Sequence, residues 1–157
     1  MTDKRLYQIT DILNDFLKPF DCVAVAGTDF AYYPGSNTIE YALVVGDYHE
    51  KTFMDFTKQL FPNIKADPFL WSLMHEIGHN ETEEDFDDED WQDYIDRIDS
   101  CSCDEEYYNL PIEYAATYWA GKYMLNHQNE IKNLWNKLAP TILNFYKENE
   151  VKIDDEA

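Results

Sequence analysis

Positive charge is scarce in this sequence. Only 12 of its 157 residues are Lys or Arg, against 32 Asp or Glu, and the net charge at pH 7 is −20. Two polyanions, a nucleic-acid backbone and an anionic membrane surface, are therefore excluded as direct partners. Long apolar runs are missing too. No stretch reaches the roughly 18 apolar residues that a membrane-spanning helix needs. The opening stretch, MTDKRLYQITDILNDFLKPF, has neither a continuous apolar centre nor a small-residue cleavage site, so it reads as an amphipathic helix and not as a secretory leader. Cysteine is scarce: Cys22, Cys101 and Cys103 are too few, and odd in number, for a disulfide scaffold, and they fit a reducing, cytoplasmic setting. No internal repeat is visible.

What is present is enough to build a core. Apolar residues make up 45% of the chain and aromatics 16%, and the length suits one domain, here taken as residues 1–149. Residues 150–157 are short, polar and acidic, and are expected to form a flexible tail. The acidity is uneven. Between Glu81 and Glu106 there are 14 acidic residues and one basic residue, Arg97, which leaves 18 acidic and 11 basic residues elsewhere. The composition is that of an ordinary globular protein with one strongly acidic insert, 81–106. A charge run of this kind is most simply a solvated face. Its functional reading is a surface that recruits a basic partner, or that imitates nucleic acid.

The coarse pattern is a helix, then strands, then helices. Leu6, Ile9, Ile12, Leu13, Phe16 and Leu17 share one face of a helix over 3–17, which Lys18-Pro19 stops. Strands are predicted at 22–26, 30–33 and 38–45, the last being the richest in β-branched and aromatic residues, with a turn at Pro34–Asn37. Asp47 and Glu50 form a capping-box pattern for a helix that runs to about Phe61. Asp67-Pro68 supplies an N-cap and an N1 proline for the next helix. Inside the acidic insert, Trp91, Tyr94, Ile95 and Ile98 fall at helical spacing. A helix from Pro111 to about Asn126 follows, and 129–148 holds one helix or two broken at Pro140. The expected class is α+β: a small antiparallel or mixed sheet packed on a helical majority.

His75-Glu76-Ile77-Gly78-His79 is an H-E-x-x-H motif within a predicted helix. Residues at i and i+4 lie one above the other, so the two imidazoles can converge on one ion, with zinc the expected metal. Glu76, beside the first histidine, need not bind the ion. It can take a proton from water that the metal activates and pass it to a leaving amine. Zinc needs a third protein ligand and an open position. The candidates downstream are Glu113, His127, Asp104, Glu105 and Glu106. Glu113 is favoured on geometry. The positions i+3, i+4 and i+7 from it are Ala116, Thr117 and Ala120, a small-residue face that allows close helix contact, and Gly78 offers the matching gap.

These residues carry a resemblance. His75-Glu76-Ile77-Gly78-His79 followed by Glu113-x-x-Ala116-x-x-Trp119-Ala120 resembles the gluzincin zinc metallopeptidases, and most of all their compact IrrE/ImmA-like group of bacteria, prophages and mobile elements. It spans residues 38–125. It implies a minimal zincin-like architecture, zinc held by His75, His79 and Glu113, and Glu76 as catalytic base. It also implies that strand 38–45, with Ile39 and Tyr41, borders the cleft and pairs with an extended peptide. The group often has Asp or Asn four residues after the ligand Glu, behind a zinc histidine. Here Thr117 stands there, able to hydrogen-bond but carrying no charge. The acidic insert is not part of the group's pattern.

A peptidase also needs an electrophile for the oxyanion, and Tyr107, Tyr108, Tyr114, Tyr118 and His127 are candidates among which the sequence does not choose. The expected function is hydrolysis of a peptide bond in an intracellular protein or peptide, which could carry a basic segment. The competing expectation is an acidic binding or inhibitor protein whose zinc site is structural or vestigial.

Overall fold

The computed structural model describes residues 4–43 and 48–148, and of Tyr48, His49 and Glu50 the backbone alone. The Asp47/Glu50 capping box, the end of strand 38–45 and the tail 150–157 lie outside the described residues. The fold is α+β, mostly helical with one three-stranded mixed sheet. The chain forms two compact units, one from Met1–Gly46 and His127–Ala157, the other from Asp47–Asn126.

The first unit holds the sheet. Helix α1 (Lys4–Leu17) buries Ile9, Leu13 and Leu17, one stripe at i, i+4 and i+8, and a 3₁₀ turn at Lys18–Phe20 accommodates Pro19. Strands β1 (Val23–Ala26), β2 (Ala31–Tyr33) and β3 (Thr38–Tyr41) follow, in the spatial order β1-β3-β2. β3 runs parallel to β1 and antiparallel to β2. Its alternation puts Ile39 and Tyr41 in the core, both fully buried. The Tyr41 hydroxyl lies 2.6 Å from Thr10 Oγ1 and donates to the Leu6 carbonyl at 3.0 Å, which satisfies the phenol against α1. The Ala24 amide of β1 donates to Asn14 Oδ1 of α1 at 2.7 Å. Helix α7 (Gln128–Glu148) buries Ile131, Leu134, Leu138 and Ile142 and runs unbroken through Pro140. Pro140 and Asn136, whose carbonyl loses its helical partner to the proline, are both exposed, so that carbonyl is open to solvent.

The second unit is helical. It comprises α2 (Tyr48–Leu60), α3 (Pro68–Thr82), α4 (Asp88–Ile98), α5 (Asp104–Tyr108) and α6 (Pro111–Asn126), with a 3₁₀ turn at Glu83–Asp85. Asp67 caps α3 as the sequence predicts, its carboxylate accepting from the Phe69 amide at 2.9 Å. α3 is buried on most sides, from Phe69 to Gly78, because it is the central helix of this unit. α6 lies directly on it through Ala116, Thr117 and Ala120, as the small-residue face predicts. A Cβ on Gly78 would sit 2.3 Å from the Ala116 carbonyl oxygen, so only glycine permits this approach. The acidic segment is ordered. Asp87 and Asp90 form a reciprocal capping box at the start of α4, and acidic residues fill the first turns of α4 and α5, where the helix dipole favours them.

Candidate metal centre

α3 and α6 carry the site between them. Among the described residues, His75, His79 and Glu113 make one group whose ligand atoms lie within 4.8 Å of one another and could hold a metal ion. His75 Nε2 is 2.9 Å and His79 Nε2 3.1 Å from the same oxygen, Glu113 Oε1. Glu113 is 3% and His75 5% exposed, so water does little to relieve a bare charge here. α2 places an aromatic ring beside the pair: its Phe53 stands edge-on to His75, 5.2 Å between ring centres.

The proton positions follow from the groups behind the ligands. Thr117 Oγ1 donates its only hydrogen to the Glu113 carbonyl at 3.2 Å. It can therefore only accept from His75 Nδ1–H, 2.8 Å away. That leaves Nε2, the ring's other nitrogen, facing Glu113 Oε1. Nitrogen and oxygen this close need a hydrogen or a metal ion between them. The second carboxylate oxygen is used differently. Glu113 Oε2 accepts from the Tyr107 hydroxyl at 2.8 Å and from the Tyr94 hydroxyl, and the two phenol oxygens are 3.3 Å apart.

The electrostatics agree with a cation-seeking cluster. Burial would raise the Glu113 carboxyl, but hydrogen bonds from His75 and His79, and their charge, outweigh it and hold the group well below the usual carboxylate range. Burial lowers His79, yet the Glu113 bond and charge, with the charge of Glu76, raise it above an ordinary imidazole. Burial first, and then the Glu113 charge, push the Tyr94 and Tyr107 phenols up, so both remain donors.

Glu76 is buried on α3 and near enough for its charge to act on His79 and Tyr94, but it is not in the ligand group. The other third-ligand candidates, Asp104, Glu105, Glu106 and His127, are also outside it. Glu106 instead accepts from the Ser102 amide and hydroxyl at 2.9 and 2.8 Å. Of the electrophile candidates, Tyr107 reaches the cluster through Glu113. Tyr108 stacks among Phe53 and Phe56, and Tyr114 and Tyr118 are exposed and stacked on each other. Tyr94 was missed by sequence reasoning, which counted it with the packing face of its helix.

The expectation for strand 38–45 needs correction. β3 is the middle strand, paired on both sides from Thr38 to Tyr41 apart from the last residue on the β2 side, and Ile39 and Tyr41 point into the core of the first unit. A peptide cannot add to a strand whose two edges are already hydrogen-bonded, so these residues do not form the substrate strand. The three cysteines are free thiols. Among the described residues no helix is long and apolar enough to cross a membrane.

No protein-family model matches the chain, no curated protein matches it, and no solved structure matches it.

Proposed function

We propose that this chain is a zinc-dependent metallopeptidase of the gluzincin type, similar to the IrrE/ImmA-like group, working in the cytoplasm on a protein or peptide. One observation carries the reading: the imidazole nitrogens of the H-E-x-x-H pair both meet Glu113 Oε1, 2.9 and 3.1 Å away, so that three atoms able to hold a metal ion converge on one point. The residues fit zinc in type and number, with two imidazoles and one carboxylate oxygen. Outer hydrogen bonds with Thr117, Tyr94 and Tyr107 orient them. When bound, zinc supplies Lewis acidity toward water and toward a substrate carbonyl.

The chain's own residues do the rest. His75 is held in one orientation by Thr117, 2.8 Å from its Nδ1. Glu76, buried beside the ligands and not one of them, takes the proton from the attacking water and returns it to the leaving amine. The alternative of an acidic binder with a closed structural site requires a fourth protein ligand. The carboxylates considered for that part, Asp104 to Glu106, lie outside the ligand group.

Elemental analysis of protein purified without chelator tests the metal. One equivalent of zinc is expected. Less than a tenth, not restored by added zinc, overturns the reading. Glu113→Ala is expected to weaken zinc at least tenfold, and Thr117→Ala by less, since Thr117 only orients a ligand. Glu76→Gln should keep zinc and fold while lowering hydrolysis about 10²–10⁴-fold, read on a peptide library by mass spectrometry.

A further inference from the structure

The acidic segment is more than a charged surface, because it reaches the ligand cluster. Glu113 divides its carboxylate. Oε1 faces the two imidazoles, and Oε2 accepts two phenol hydroxyls. A carboxylate left alone can present both oxygens to a metal. With Oε2 committed to two donors, rotation about the carboxylate bond is blocked and a single oxygen remains for the ion. The two donors come from separate helices, Tyr94 from α4 inside the segment and Tyr107 from α5 just past its end.

α4 has little else to seat it. Of its eleven residues none is buried, and Ile95, on the face expected to pack, is 58% exposed. Trp91 and Ile98 are half-buried, and Tyr94 is the residue whose polar tip enters the unit. The helix is thus fastened to the site by a hydrogen bond to a metal-ligand candidate.

We infer that Tyr94 and Tyr107 are positioning residues that hold Glu113 as a one-oxygen ligand, and that through Tyr94 the docking of the acidic helix α4 is coupled to metal affinity. This rests on the metal reading above. Coupling is reciprocal: if seating α4 tightens the metal, the metal must tighten α4 by the same factor. Release of α4 then loosens the carboxylate and weakens the site without touching a ligand.

The test uses the full chain with zinc and cobalt(II) as probes. The variants are Tyr94→Phe, Tyr107→Phe and the double variant, with Tyr123→Phe on α6 as a control. Zinc affinity is measured by chelator competition and the cobalt coordination by its visible spectrum. Hydrogen exchange over 88–98 is followed with and without zinc. Metal-free melting and far-ultraviolet circular dichroism report the fold of each variant.

Each single variant is expected to lose roughly tenfold in zinc affinity and the double variant roughly a hundredfold, with Tyr123→Phe unchanged. The double variant should show weaker cobalt bands as the freed carboxylate takes up a second coordination position. Zinc should slow exchange over 88–98 in the wild type and fail to do so in Tyr94→Phe. The wild-type exchange measurement stands even if a variant does not fold. Should the wild type bind zinc, while the phenylalanine variants match it in affinity and cobalt spectrum, the positioning role is overturned and the metal site stands. Unchanged exchange over 88–98 on adding zinc overturns the coupling. A wild type that binds neither ion overturns the metal reading and this inference with it.

Discussion

Gly78 sits between the two histidines because nothing larger fits. A methyl group there would meet the Ala116 backbone, with its carbonyl oxygen at 2.3 Å and its Cα at 2.9 Å, and backbone cannot swing aside as a side chain can. Gly78→Ala is expected to destabilise the chain by about 1–3 kcal/mol in chemical denaturation, and to weaken zinc, since the ligand helices must part. Glu40 offers a pH test away from the site. The Tyr33 hydroxyl at 2.7 Å and the Thr28 amide at 2.9 Å hold its carboxyl below the usual value. A depressed carboxyl contributes stability above the unfolded pKa of about 4.3 and loses it as pH falls through the folded value. The melting difference between wild type and Glu40→Gln should therefore be present at neutral pH and close under acid. The residues of the metal cluster were unequally legible. His75 and His79 announce themselves by spacing, and Glu113 by the small face it opens. Tyr94 does not, because a tyrosine at helical spacing beside Trp91 and Ile98 has the pattern of packing, and its partner lies 19 residues away across another helix.

At the scale of elements, the Asp67 cap was readable, while the Asp87 cap and the strand pairings were not. Asp67 and Pro68 start α3 where the sequence puts them. α5 was missed: five residues are too few to show a period, and its identity comes from Tyr107 and Tyr108 packing inward. Strand alternation marks β1 and β3 but not their neighbours, so the parallel pairing of β1 with β3 was open, and with it the error of treating β3 as an edge. The acidic segment was read as a solvated insert, whereas its charges have positions. Asp87 caps α4, and Asp87→Ala is expected to lower stability by about 0.5–2 kcal/mol. Asp99 stands at the other end of α4, against the negative pole of the helix, so Asp99→Asn should raise stability by roughly 0.3–1 kcal/mol. Thermal melts of the two variants side by side check both signs.

Across the whole molecule, a charge of −20 makes the folded chain repel itself, most strongly within 81–106. Raising salt from about 10 mM to 150 mM shortens the screening length from about 30 Å to about 8 Å, and the melting temperature should rise with it. The α+β class was legible from the order of elements, while the division into two compact units was not, since no linker composition marks Gly46 or His127. One contact in the first unit bears on what the protein does when concentrated. β1 ends the sheet on one side, and Val23 and Val25 on it are 51% and 43% exposed, the combination by which strands recruit further strands from other molecules. The Asn14 side chain takes the Ala24 amide and so occupies the hydrogen-bonding row that an incoming chain would need. Asn14 is in this sense a stopper against fibre growth, and its loss would be felt during storage and overexpression, as turbidity, besides the stability lost when the buried Ala24 amide is left without its acceptor.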